Sequence, residues 1–135
     1  MKLTFTYLVR QDKKTWGDFA KSILLLEKNI LSKLNCLFDI LIFCEGQPPK
    51  KVKDLIEFLK TKKSIGINLK LIILKDYVKR SNKKNYIKHF PHAARCDLNT
   101  SLGYRDMCKF FSMDVFNDEN LFNSNYFIRV DTDSF

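Results

Sequence analysis

Leu3, Phe5 and Tyr7 alternate with Thr4 and Thr6 before Leu8 and Val9 give way to a polar stretch at 10–14, which predicts a first strand and a loop. From Trp16 to about Asn35 the apolar positions Phe19, Ile23, Leu26, Ile30 and Leu34 recur at helical spacing. Thr15 is placed to cap that helix, with Asp18 three residues on in a variant of the capping box. Phe38 to Cys44 is a short apolar run closed by Glu45, Gly46, Pro48 and Pro49, the pattern of a buried strand and a turn. Val52, Leu55, Ile56 and Leu59 make a second helical stripe, opened by Pro49 and carrying lysines on its other face. Leu69 to Leu74 supplies a third strand. Between Tyr104 and Phe116, Met107, Phe110, Phe111 and Val115 repeat at three- and four-residue spacing, so a helix precedes the last apolar run, which begins at Asn125 and ends in Asp131 and Asp133.

Strands separated by helices imply right-handed crossovers, a mostly parallel sheet and an α/β fold. Ligands of such sheets gather outside the carboxyl ends of the strands, where Arg10, Glu45 and the acidic pair would all lie, the pair ending an interior strand. The segment from Lys75 to Thr100 breaks the pattern and reads as a surface excursion.

A chain of 135 residues with 45% hydrophobic and 29% charged residues has material for one core and one domain. A net charge of +9 favours anionic partners: phosphate-bearing ligands, nucleic acid or a membrane surface. The twelve Phe and five Tyr sit in the periodic segments, with no paired ribonucleoprotein-type stacking motif, which weighs against RNA. Cys36, Cys44, Cys96 and Cys108 have no C-x-x-C spacing; buried free thiols are the first reading and a disulfide the alternative. The amino terminus alternates like a strand and not like a signal peptide, and no run of about 18 apolar residues suggests a membrane span, so the chain as written reads as cytoplasmic.

Candidate chemistry centres on Asp131 and Asp133. Alternation along a strand lets both face one side, where two hard oxygen ligands suit Mn2+ or Mg2+ and a cation relieves their repulsion. An isolated D-x-D more often caps a strand and faces water. Gly103, Tyr104 and Arg105 form a polar helix start able to meet an anion. His89, His92 and Cys96 have zinc-like spacing, but Pro91 interrupts them and a fourth ligand is missing. The basic run from Lys75 to Lys84 reads as a solvated face before a nucleic-acid patch. The D-x-D-x-T signature of haloacid-dehalogenase phosphatases fails here because Phe135 occupies the position of the Thr.

The stretch Ser101–Ser112, followed by the run from Asn125 to Asp133, resembles the glycolipid 2-α-mannosyltransferase family, which has a G-Y-R-x-M-C-R-F stretch and then a Y-x-W-R-V-E-P-D stretch at similar separation. The resemblance is strongest over Ser101–Phe135; elsewhere it extends to Leu8, Val9 and Arg10. Asp131 stands where that family has Glu, and Thr132 where it has Pro. The resemblance implies a GT-A fold, a Rossmann-like nucleotide-binding half, and transfer of mannose from GDP-mannose, with retention and with manganese. Carried over by position, Asp131 would be the manganese ligand, joined by Asp133 on the D-x-D reading, while Arg129 and Tyr104 would contact the donor diphosphate and Arg10 would lie near the nucleotide. It further implies that residues 1–135 are the nucleotide-sugar-binding part of a GT-A glycosyltransferase domain, incomplete at the C-terminus. The acceptor site and catalytic carboxylate would then come from a further C-terminal half or a partner chain, with little transfer by these residues alone. Members of that family are Golgi-lumenal. The expected activity is hexose transfer, mannose first, from a nucleotide sugar to a glycan acceptor. The alternative is a non-catalytic nucleotide-sugar-binding module or a basic nucleic-acid-binding module.

Overall fold

The computed structural model describes residues 1–62, 69–73 and 102–134, with the side chains of 69 and 102–106 outside that description. His89, His92, Cys96, the basic run from Lys75 to Lys84 and Phe135 lie outside the described residues.

Among the described residues four parallel strands form one sheet: β1 (Lys2–Val9), β2 (Leu37–Cys44), β3 (Leu69–Ile73) and β4 (Tyr126–Arg129), in the order β3-β2-β1-β4. β1 and β2 are in register from Lys2 opposite Leu37 to Val9 opposite Cys44, while β4 meets only Leu3 to Thr6 of β1. β4 closes the described order and borders only β1, so the acidic pair does not follow an interior strand among those described.

Alternation along β1 and β2 sorts their side chains into two cores. Phe5, Tyr7 and Val9 of β1 join Phe38, Ile40, Ile42 and Cys44 of β2 beneath the helices α1 (Lys13–Asn29) and α2 (Lys50–Lys60). Those helices contribute Trp16, Phe19, Ile23 and Leu26, and Val52, Ile56 and Leu59. Edge-to-face contacts run from Tyr7 to Phe19 and from Trp16 to Phe19, at centroid distances of 5.1 and 5.9 Å. On the opposite face, Leu41 and Phe43 pack against Phe110 and Phe111 of α3 (Leu102–Ser112) and against Val115 and Leu121 of the 3-10 turns that follow. The result is an α/β sheet with helices on both faces.

Both ends of α1 differ from the pattern. The cap of α1 is Asp12, not Thr15: the Asp12 carboxylate accepts the Thr15 amide at 2.8 Å and the Thr15 hydroxyl at 2.6 Å, so the helix begins a turn earlier. It also ends at Asn29 instead of near Asn35. Ile30 leaves helical geometry and is 46% exposed, while Leu31, at 1%, drops into the core through a 3-10 turn. Cys36, Cys44 and Cys108 are free thiols, with Cys44 buried. Among the described residues no helix is long and apolar enough to cross a membrane.

Candidate functional site

Because all four strands run the same way, their carboxyl ends share one edge, and what leaves that edge is set by where each strand stops. β1 stops at Val9 and releases exposed Arg10. The turn after β2 is stitched to this loop: the Glu45 amide donates to the Val9 carbonyl at 3.1 Å, and the Gln11 amide donates to Glu45 Oε2 at 3.4 Å. Gly46 completes the stitch, since a Cβ there would run into the side-chain amide of Gln11. Asp12, one residue further, holds the start of α1. The Thr15 hydroxyl and amide, with Arg10 nearby, keep its carboxyl below the usual carboxylate range.

At β4 the Val130 amide still donates to the Thr6 carbonyl at 2.9 Å, after which the chain turns. The Ser134 amide donates to the Asp131 carbonyl at 3.0 Å, closing a turn that contains Asp131, Thr132 and Asp133. Strand alternation therefore stops before the acidic pair, and the turn sets their directions.

Arg129, the last residue of β4, is held on three sides. Its Nε and Nη2 both meet Asp131 Oδ1, at 2.8 and 2.6 Å; its guanidinium lies over the Phe111 ring, 4.4 Å from the centroid; and Nη2 is 3.7 Å from Met107 Sδ. Met107 and Phe111 are one turn apart on α3, so one stripe of that helix serves both the core and the arginine. The side chains of Arg129 and Asp131 are 35% and 52% exposed, so this is an interaction at the surface and a modest contributor to stability.

The structure thus brings Arg10, Arg129, Asp131 and Asp133 to one edge. Tyr104 lies on the first turn of α3, with its side chain outside the described residues. Three contributors escape sequence reading. Gln11 carries no motif. Met107 and Phe111 read as core stripe alone. The ion pair was available as a signal, because the two-residue spacing that pairs Asp131 with Asp133 also pairs Arg129 with Asp131.

Among the described residues no group of three or more His, Cys, Asp or Glu stands together as a metal cage. An open edge of one or two carboxylates is nevertheless the usual protein share of a magnesium-type site, the rest of the shell coming from water and substrate phosphate. Asp131 meets Arg129 through Oδ1 alone, and Asp133 lies in the same turn.

No protein-family model and no curated protein matches this chain. Solved structures do. The X-ray structure of the mannosyltransferase Ktr4p from S. cerevisiae is 16% identical over 97% of this chain and 32% of that one, with a TM-score of 0.67. Ktr4p in complex with GDP is 17% identical over 97% of this chain and 33% of that one, with a TM-score of 0.59. The chain spans about a third of the length of those structures and is similar to that part of them in fold.

Proposed function

We propose that residues 1–135 are the nucleotide-sugar-binding part of a GT-A glycosyltransferase of the glycolipid 2-α-mannosyltransferase type. In this reading it moves a hexose, mannose first, from GDP-mannose or a related donor to a glycan acceptor. The observation that carries the reading is the convergence of Arg10, Arg129, Asp131 and Asp133 on the carboxyl edge of a sheet whose fold is that of a mannosyltransferase. That Ktr4p has been solved with GDP supports a guanine nucleotide as the donor's carrier.

Each residue has a chemical task in this reading. Breaking a sugar–diphosphate bond leaves negative charge on the departing nucleoside diphosphate, and fixed positive groups aimed at that charge lower the barrier. Arg129 is prepared for this: Phe111 and Met107 hold its guanidinium in place, and a diphosphate oxygen can replace Asp131 as its acceptor. Asp131, released from Arg129, and Asp133 would hold a divalent cation, Mn2+ or Mg2+. Bound there, that cation would supply further neutralisation of the leaving diphosphate. Arg10, on the neighbouring strand's loop, would meet the nucleotide, and the Tyr104 hydroxyl the diphosphate.

Thermal unfolding with GDP or UDP, each with and without Mn2+, tests the reading, because a ligand that binds only the native state raises its melting temperature. GDP with Mn2+ is expected to give the largest rise, and Asp131→Ala or Asp133→Ala to remove the Mn2+-dependent part. If neither nucleotide moves the transition while nucleic acid binds with steep salt dependence, the basic-module alternative replaces this reading.

A further inference from the structure

Within the chain itself, Arg129 and Asp131 neutralise each other. Nε and Nη2 of Arg129 converge on Asp131 Oδ1 at 2.8 and 2.6 Å, while the guanidinium lies over the Phe111 ring at 4.4 Å from its centroid. The carboxylate therefore stands where an arginine fork takes a phosphate oxygen, and the guanidinium stands where its charge opposes a cation beside that carboxylate. The turn that carries Asp131 does not depend on this pair, because the Ser134 amide closes it on the Asp131 backbone carbonyl.

We propose that the Arg129–Asp131 ion pair is a latch in which each partner obstructs the other's ligand, so that a nucleoside diphosphate and a divalent cation bind better together than either does alone. The inference rests on the reading of the site just given and adds how that site is filled. A diphosphate oxygen that reaches Arg129 displaces Asp131 and leaves its carboxylate uncompensated in the same turn as Asp133, which favours a cation there. Conversely, Asp131 engaged by a cation no longer neutralises Arg129, and the guanidinium is left to take another anion. Whichever ligand arrives first breaks the pair, and the second finds its partner already free. By linkage the two effects on affinity are equal.

The exchange needs little motion. Phe111 meets the face of the guanidinium, not its donor edge, so Arg129 changes acceptor while staying against α3. The paired side chains are 35% and 52% exposed, so solvent screens the pair, and breaking it is worth roughly two- to fivefold in affinity. Asp133 separates this device from a general effect of charge: it is exposed in the same turn with the same sign, while the Arg129 donors go to Asp131.

Two binding measurements on the full 135-residue chain test the latch, and neither requires sugar transfer. GDP binding without metal, in EDTA, is followed by NMR at the amides of Val130 and Ser134; Mn2+ binding without nucleotide is followed by the electron paramagnetic resonance signal of the free ion. Asp131→Ala should bind metal-free GDP roughly two- to fivefold more tightly than wild type, and Asp133→Ala, which leaves the pair intact, should gain less. Arg129→Gln should bind Mn2+ alone more tightly by a similar factor, and it supplies a second arm should Asp131→Ala fail to fold. With GDP and Mn2+ together, both Asp131→Ala and Arg129→Gln should fall below wild type, and this reversal of sign is the signature of the latch. Unchanged or weaker metal-free GDP binding in folded Asp131→Ala, an equal gain in Asp133→Ala, or unchanged Mn2+ binding in Arg129→Gln overturns the proposal. If wild type binds GDP with Mn2+ and the reversals are absent, the latch alone fails. If it binds neither ligand, separately or jointly, the nucleotide-binding reading fails and the latch with it.

Discussion

Arg129 answers to two partners of different kinds, a carboxylate on its own strand and an aromatic ring on α3. Removing the carboxylate by Asp131→Ala leaves the ring contact in place. Because the pair is partly exposed, the loss in denaturant-measured stability should be about 0.2–1 kcal/mol. The same substitution should nonetheless eliminate the Mn2+-dependent nucleotide response, and this separation of stability from binding distinguishes a ligand-holding acid from a structural one. Asp12 is the opposite case. Asp12→Ala should cost about 1 kcal/mol of stability through the lost cap, with no Mn2+ involvement. The Asp12 carboxyl titrates below its unfolded value, so its contribution is present above about pH 4, near the model-peptide value, and disappears as pH falls through the lower folded value. Acid titration of wild type against Asp12→Ala, read by urea midpoints, checks the direction.

The packing of α1 and β3 on the central strands has a signature at alkaline pH. Tyr7 is buried with its hydroxyl 3.1 Å from Ser22 Oγ of α1, and burial pushes its hydroxyl up to about 12. Burial likewise pushes the Cys44 thiol up to about 12, with its Sγ 3.4 Å from the Ile72 carbonyl of β3. Both folded values lie above the unfolded ones, near 10 for Tyr and 8.5 for Cys, so folding favours the neutral forms. Their stabilisation is therefore complete below about pH 8.5 and is lost as pH rises toward 12. Urea unfolding at successive alkaline pH values should show a falling midpoint, and Cys44→Ala should flatten the part of the fall that begins near pH 8.5.

β2 joins the two cores at the scale of the molecule, with Ile42 at 0% exposure on one face and Phe43 at 0% on the other. Neither core can open without exposing the strand that holds the other. Phe43→Ala should therefore cost about 3–5 kcal/mol, and far-UV and near-UV circular dichroism should still report one coincident transition. Separate transitions would show that the two faces fold independently. The parallel order also divides the molecule chemically, because every strand delivers its last residues to one edge and its first to the other. The acidic turn and Arg10 occupy the first edge, and the Lys2–Asp39 ion pair lies toward the second.

Periodicity by itself determined the alternation of strands and helices, the apolar stripes of α1, α2 and α3, and the parallel α/β architecture, because burial demands repeat every two residues in a strand and every three to four in a helix. It also determined that Arg10 and the acidic pair emerge at one edge. Local sequence was less decisive at the ends of α1, where Asp12 outcompeted Thr15 as a cap and Leu31 outcompeted Ile30 for the core. Tertiary structure alone decided that Arg129 rests on Phe111, that Gln11 fills the space beside Gly46, and that Asp39 keeps one carboxylate oxygen unmet. The reason is physical: these contacts join residues remote in sequence, or depend on where a strand stops and a turn begins. Hydrophobic repeat specifies which face is buried, not which side chains meet across it.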